Sequence, residues 1–94
     1  MNKVITYRGE EWEVSPVRGL DKFPSDQLHD IVGGFYDMFE LRNGQIMVVN
    51  AYAQWEDMPY NDKATKLMAK SDPDWDYIAG NVLVCDPEMI DYTN

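Results

Sequence analysis

The sequence predicts an α+β fold: a small, mostly antiparallel sheet with two short helices in the order β-β-α-β-β-α-β. Three observations carry this reading. The chain has 94 residues, a length that holds one domain and one core, so the expectation is a single domain over 1–94. An Asn43-Gly44 pair stands between two runs rich in β-formers, the strongest short-range signal for a hairpin. Two later stripes of apolar residues at i, i+3 and i+4, each punctuated at its ends, read as short amphipathic helices.

Lys3-Val4-Ile5-Thr6-Tyr7 is β-branched and aromatic and reads as the first strand. Arg8-Gly9-Glu10 turns the chain, and Trp12 and Val14 alternate with Glu11, Glu13 and Ser15 as a returning antiparallel strand. Pro16 places that strand at an edge or ends it early. Ser25 is the expected N-cap of the first helix, with Asp26 in its first turn. Leu28, Ile31 and Val32 form the buried stripe, and Gly33-Gly34 stop the helix.

Phe35 to Leu41 and Gln45 to Tyr52 are the hairpin strands, with Asn-Gly expected to supply the positive φ angles of the turn. Ile46, Met47, Val48 and Val49 are apolar at successive positions, so this strand should lie centrally with both faces covered. Asn61 is the expected N-cap of a second helix, 62–70, with Ala64, Leu67 and Met68 facing the core. Pro73 breaks it, Val82 to Cys85 is the last strand, and Glu88 to Tyr92 forms one helical turn.

Seventeen acids against eight bases leave a net charge of −9. The segment 71–94 holds Asp72, Asp74, Asp76, Asp86, Glu88 and Asp91 and no Lys or Arg. Such a field disfavours direct binding to nucleic acid or to an anionic membrane, and favours a basic partner surface. It also keeps a small domain soluble. Cys85 is the only cysteine, which excludes an intrachain disulfide. With no signal peptide at Met1-Asn2-Lys3 and no long apolar run, the expectation is a cytoplasmic protein of a reducing compartment.

The residues point away from an enzyme, and they imply no cofactor. Asp72, Asp74 and Asp76 alternate as at the start of a calcium loop, but Tyr77 and Leu83 stand where the sharp-turn Gly and the bidentate Glu belong. Cys85 and the single His29 have no visible orienting partner, and a cysteine inside an apolar strand behaves as a small hydrophobe. Gly33-Gly34 follow a helix, whereas phosphate-binding glycines precede one. Lys63, Lys66 and Lys70 read as a solvated helix face.

The loop 53–61 carries Trp55, Met58 and Tyr60 where loops are ordinarily polar. The favoured expectation is a lid folded down on the core. The competing one is an exposed patch for a partner, for self-association or for a planar ligand.

Asp30-Ile31-Val32-Gly33-Gly34, then Asn43-Gly44, Met47-Val48-Val49-Asn50, Met58-Pro59-Tyr60-Asn61 with Ala64, and Ile78-Ala79-Gly80-Asn81-Val82-Leu83-Val84 form an ordered set. Over roughly residues 28–85 it resembles a family of small, uncharacterised proteins encoded by bacteriophages and mobile elements. The match departs at Ala51-Tyr52-Ala53-Gln54, where the family tends to have an acidic residue and glycine. No activity comes with the resemblance. What it implies is context: a viral accessory protein in the host cytoplasm, of the kind that blocks restriction or CRISPR complexes or sequesters nucleotide signals of host defence.

Three readings of function follow. In the first, the chain is a non-enzymatic, DNA-mimicking inhibitor of a host nucleic-acid-binding complex. Glu56, Asp57, Asp72, Asp74, Asp76, Asp86 and Glu88, with Trp55, Tyr60 and Trp75, would be the binding residues. In the second, it is a homo-oligomeric sponge for a nucleotide-like ligand. That ligand would be stacked on Trp55, Tyr60 or Trp75, read by Asn50 and Asn61, and neutralised by Lys63, Lys66 or Arg42. A structural interaction domain is the third, plainer reading.

Overall fold

The computed structural model describes residues 2–91. Its elements are β1 (Lys3–Ile5), β2 (Glu11–Glu13), α1 (Ser25–Val32), β3 (Tyr36–Glu40), β4 (Ile46–Asn50), α2 (Asp62–Ser71) and β5 (Val82–Cys85), with 3₁₀ turns at Val17–Gly19 and Pro87–Met89. The strands form one sheet in the order β2-β1-β5-β4-β3, and every neighbouring pair is antiparallel. The α+β class and the element order are as the sequence predicts. The strand order, which the sequence leaves open, places the last strand at the centre.

Both central strands are buried along their whole length, β4 as Ile46–Asn50 and β5 as Val82–Cys85. Successive side chains of a strand point to opposite faces, so the two apolar runs serve two cores at once. Met47, Val49, Val82 and Val84 pack with Ile5 and with Ala64 and Met68 of α2. Ile46, Val48, Leu83 and Cys85 pack with Leu28 and Val32 of α1, and with Phe23 and Ile90. The result is a three-layer arrangement in which the sheet has a helix on each face.

The two hairpins turn by the same chemistry. Leu41 N–H donates to Gln45 O (2.7 Å) and Gly44 N–H to Leu41 O (2.9 Å); Thr6 N–H donates to Glu10 O (2.9 Å) and Gly9 N–H to Thr6 O (2.9 Å). Gly44 (φ 90°) and Gly9 (φ 89°) take the left-handed position that closes a three-residue hairpin loop. Asn43 does not share the positive φ expected of it. Instead its side chain brackets the turn, accepting from Gln45 N–H (3.0 Å) and donating to Gln45 Oε1 (3.0 Å).

The helix starts contrast with each other. Asn61 caps α2 as expected, accepting from Ala64 N–H at 3.0 Å. Ser25 does not cap α1: Pro24 holds that position with no side-chain bond, and Ser25 Oγ pairs with the Tyr36 hydroxyl at 3.1 Å. Pro24 supplies the extended backbone that precedes a helix, so the serine is free to tie α1 to β3. Several edges also moved inward. The first strand ends at Ile5 rather than Tyr7, and the second ends at Glu13. The final turn covers Pro87–Met89, and Tyr92 lies outside the described residues.

Asn61 is wholly buried, and its amide does more than cap. Nδ2 donates to Gly80 O at 2.8 Å and to Ile5 O at 3.1 Å, while its backbone N–H donates to Ile78 O at 2.8 Å. One side chain therefore joins α2, β1 and the approach to β5. Asn61→Ala removes the cap and leaves buried carbonyls and the Ala64 N–H unpaired. We expect it to cost about 2–4 kcal/mol in urea unfolding; a loss below about 1 kcal/mol would show that the junction closes without it.

Candidate functional site

α2 covers the β1–β5–β4 part of its face and leaves the end of that face beside β3 to two irregular segments. One is the turn Ala51–Asp57. Its later half closes on itself, Trp55 and Glu56 N–H both donating to Tyr52 O (3.0 Å each) and Met58 N–H to Ala53 O (3.0 Å). Its start is tied outward by Ala51 N–H to Phe35 O (2.8 Å) and Tyr52 N–H to Asn50 Oδ1 (2.8 Å). The other is 72–79, which leaves α2 and returns to β5. The Asp72 carboxylate accepts from Asp74 N–H at 3.1 Å. Thr65 Oγ1 exchanges bonds with the Ile78 backbone at 2.9 and 3.3 Å. Gln54 Nε2 donates to Tyr77 O at 3.1 Å and links the two segments.

Between them lies a cavity of about 420 Å³, within the size range of small-ligand pockets. Its lower surface is apolar and buried: Val49, Ala53, Ile78 and Ala79, with the half-buried Phe39 beside them. Its rim is exposed and acidic, with Asp37, Asp72, Asp74 and Asp76. Asp37 reaches it because it lies opposite Val49 on the edge strand and shares a face with Phe39. Trp75 stands in one wall with its ring edge-on to Phe39, centroids 4.5 Å apart. Trp55 stands on the lip, 88% exposed. No Lys or Arg lines the cavity.

The ion pairs among the described residues lie elsewhere. Glu11 binds Lys3 (2.9 Å) and Lys63 (3.0 Å), Asp26 binds Arg18 (3.4 Å), and Asp62 binds Lys66 (3.0 Å). Lys3 and then Lys63 hold the Glu11 carboxyl below its usual range. Asp62 likewise holds the Lys66 ammonium above its usual range. None of the three lysines lines the cavity, and no ion pair among the described residues involves its four carboxylates.

The structure thus gathers Trp55, Asp72, Asp74, Trp75 and Asp76 of the expected binding residues. Tyr60 adjoins them through the ring of Tyr77, 5.9 Å away. Glu56 and Asp57 are exposed on the same turn as Trp55 but outside the lining. Asp86 and Glu88 follow β5 at the opposite end of the sheet, where Ile46 pairs with Cys85 and Gln45 Nε2 approaches Asp86 at 3.5 Å. Sequence reasoning missed Asp37, whose signal is an acid at alternate spacing with Phe39, on the same strand face.

Two expectations change with the geometry. The lid reading holds for Met58 alone, whose side chain lies 3.0 Å from where a Cβ on Gly80 would stand. Trp55 and Tyr60 face outward, 88% and 51% exposed; the turn is anchored through its backbone and the Asn50 and Gln54 amides rather than through these rings. Asn50, which lines the cavity, and Asn61 hold structural bonds. Both are buried and committed, Asn50 to Val32 O (3.1 Å) and Tyr52 N–H (2.8 Å), and Asn61 to the junction described above.

Burial pushes the Cys85 thiol up to about 12, which suppresses the thiolate that nucleophilic chemistry needs. His29 sits between the rings of Phe35 and Tyr36, centroids 5.7 and 5.2 Å away. Among the described residues no group of three or more His, Cys, Asp or Glu gathers closely enough to hold a metal ion. Nor is any helix among them long and apolar enough to cross a membrane.

Comparison with family models, with curated proteins and with solved structures finds no match.

The two site tryptophans separate the roles of rim and wall. Trp55→Ala should leave stability within about 0.5 kcal/mol of the parent. Trp75→Ala, which strips a ring from Phe39 and the core, should cost about 2–3 kcal/mol in the same urea titration. Equal losses would contradict the assignment of Trp55 to the rim.

Proposed function

We propose that this protein is a non-enzymatic binding module whose cavity face docks on a basic surface of a partner protein. The observation that carries this reading is the rim itself: four carboxylates without Lys or Arg among the lining residues, set around exposed and half-buried indoles. Carboxylates on a rigid surface occupy the Arg and Lys positions that otherwise hold phosphates. The partner class is therefore a protein with a nucleic-acid-binding surface. The net charge of −9 adds long-range steering toward such a surface. The resemblance to phage-encoded accessory proteins gives the same reading a biological setting, inhibition of a host defence complex in the host cytoplasm.

The nucleotide-sponge reading draws less support. Its phosphates would have to enter among Asp37, Asp72, Asp74 and Asp76, while Lys63 and Lys66 are paired with Glu11 and Asp62. Its base readers are buried.

The test is capture from host lysate by the tagged protein, with mass spectrometry, at low and high salt. The reading predicts a nucleic-acid-binding protein that is held at low salt, shed at high salt and displaced by added duplex DNA. A D72N/D74N/D76N variant should release it, and a D86N/E88Q variant, altered at the far end of the sheet, should retain it. A partner insensitive to salt and to the rim variant would refute docking through this face.

A further inference from the structure

We infer that the cavity is a socket for one arginine side chain of the partner, an inference that rests on the docking reading above and specifies its anchor. The lining is split by chemistry in the way an arginine side chain is split. Val49, Ala53 and Ile78 offer apolar surface to the three-carbon stem, which covers such surface while its head stays at the wet edge. The rim carboxylates surround the place where that head emerges.

The rim also distinguishes among cations. Its carboxylates do not close into a metal-sized group, so a compact divalent ion finds no shell, whereas a broad head with several donors reaches more than one of them. Guanidinium is planar, carries five N–H donors in a fixed fork and is weakly hydrated. Trp75, steadied edge-on by Phe39, and Trp55 on the lip supply indole surfaces on which such a plane stacks, the strongest of the side-chain cation–π partners. An ammonium gains the charge but not the stacking or the fork. The C-terminal end of α2, capped at Asp72, adds its partial negative charge at the same edge.

The test is titration of the isotopically labelled protein with three blocked tripeptides, Ac-Gly-Arg-Gly-NH₂ and its lysine and citrulline counterparts, read by NMR. Citrulline keeps the shape of arginine and removes the charge. The arginine peptide should give saturable shifts at the Trp55 and Trp75 indole N–H and at the amides of 74–77. The lysine peptide should bind roughly fivefold more weakly, and the citrulline peptide should show no saturable binding. D74N/D76N, both exposed and checked for an unchanged fold by the same spectra, should weaken the arginine peptide roughly tenfold.

Equal binding of citrulline and arginine, or shifts that saturate away from this cavity, would overturn the socket. Failure here is separable from failure of the docking reading. A pocket that ignores the arginine peptide while D72N/D74N/D76N still releases the basic partner loses the socket and keeps the docking face. A pocket that takes the peptide while the captured partner ignores the rim variant keeps the socket and loses the docking face.

Discussion

The side chain of Asn61 has no exposed surface and yet both its donors and its acceptor oxygen are engaged. A buried amide left unpaired costs more than a paired one returns, so each of its contacts holds the others in place. Its acceptor starts α2, and its donors fix Ile5 O of β1 and Gly80 O before β5. Gly80 in turn must be glycine-like in conformation, at φ 78°, and its N–H donates to Pro59 O at 2.7 Å. Two irregular segments, 59–61 and 78–80, are thereby locked side by side, antiparallel, with Tyr60 opposite Ala79. The wall of the cavity is the continuation of the second. Tyr77, Ile78 and Ala79 stand where they do because Asn61 and Thr65 hold the Ile78 backbone from the side of α2.

The layers around this junction were legible where a local pattern suffices. Val82–Cys85 and Ile46–Val49 are apolar at successive positions, which in a strand means burial on both faces, and the structure gives each face its own helix. Gly9 and Gly44 announced their turns because no other residue takes that φ without cost. What the sequence could not convey was competition between partners. Ser25 looks like a cap, but the Tyr36 hydroxyl claims it. Asn61 was readable as a cap from its neighbours three and four residues on. Its bonds to Ile5 and Gly80 span 56 and 19 residues, and no local window contains them.

The site was half legible for the same reason. Asp72, Asp74 and Asp76 sit in one short segment, and Trp55 and Trp75 stand out as aromatics in polar surroundings, so the sequence marks them singly. That they share one cavity depends on the return of 72–79 across the β3 edge, which brings Asp37 from a distant strand into the same rim. Trp55 was misjudged because aromatic residues in small domains ordinarily pack. Here backbone bonds and the amides of Asn50 and Gln54 hold the turn 51–57 and leave the Trp55 ring exposed. Charge follows a similar division: Glu11, Asp26 and Asp62 are paired with Lys3 and Lys63, Arg18 and Lys66, and the four carboxylates around the cavity are not.

An acidic rim on a floppy loop would be a solvated surface, whereas a rim held in place beforehand loses little freedom on binding. Docking through this rim therefore requires a cavity wall as rigid as the sheet. Native-state hydrogen exchange reads this directly, amide by amide. The amides of Asn61, Ala64, Ile78 and Gly80 should exchange as slowly as Val84 at the sheet centre, through global unfolding alone. Exchange of Ile78 and Gly80 through a local opening, far faster than Val84 and insensitive to denaturant, would mean that the wall is a flap and that Asn61 does not fix it.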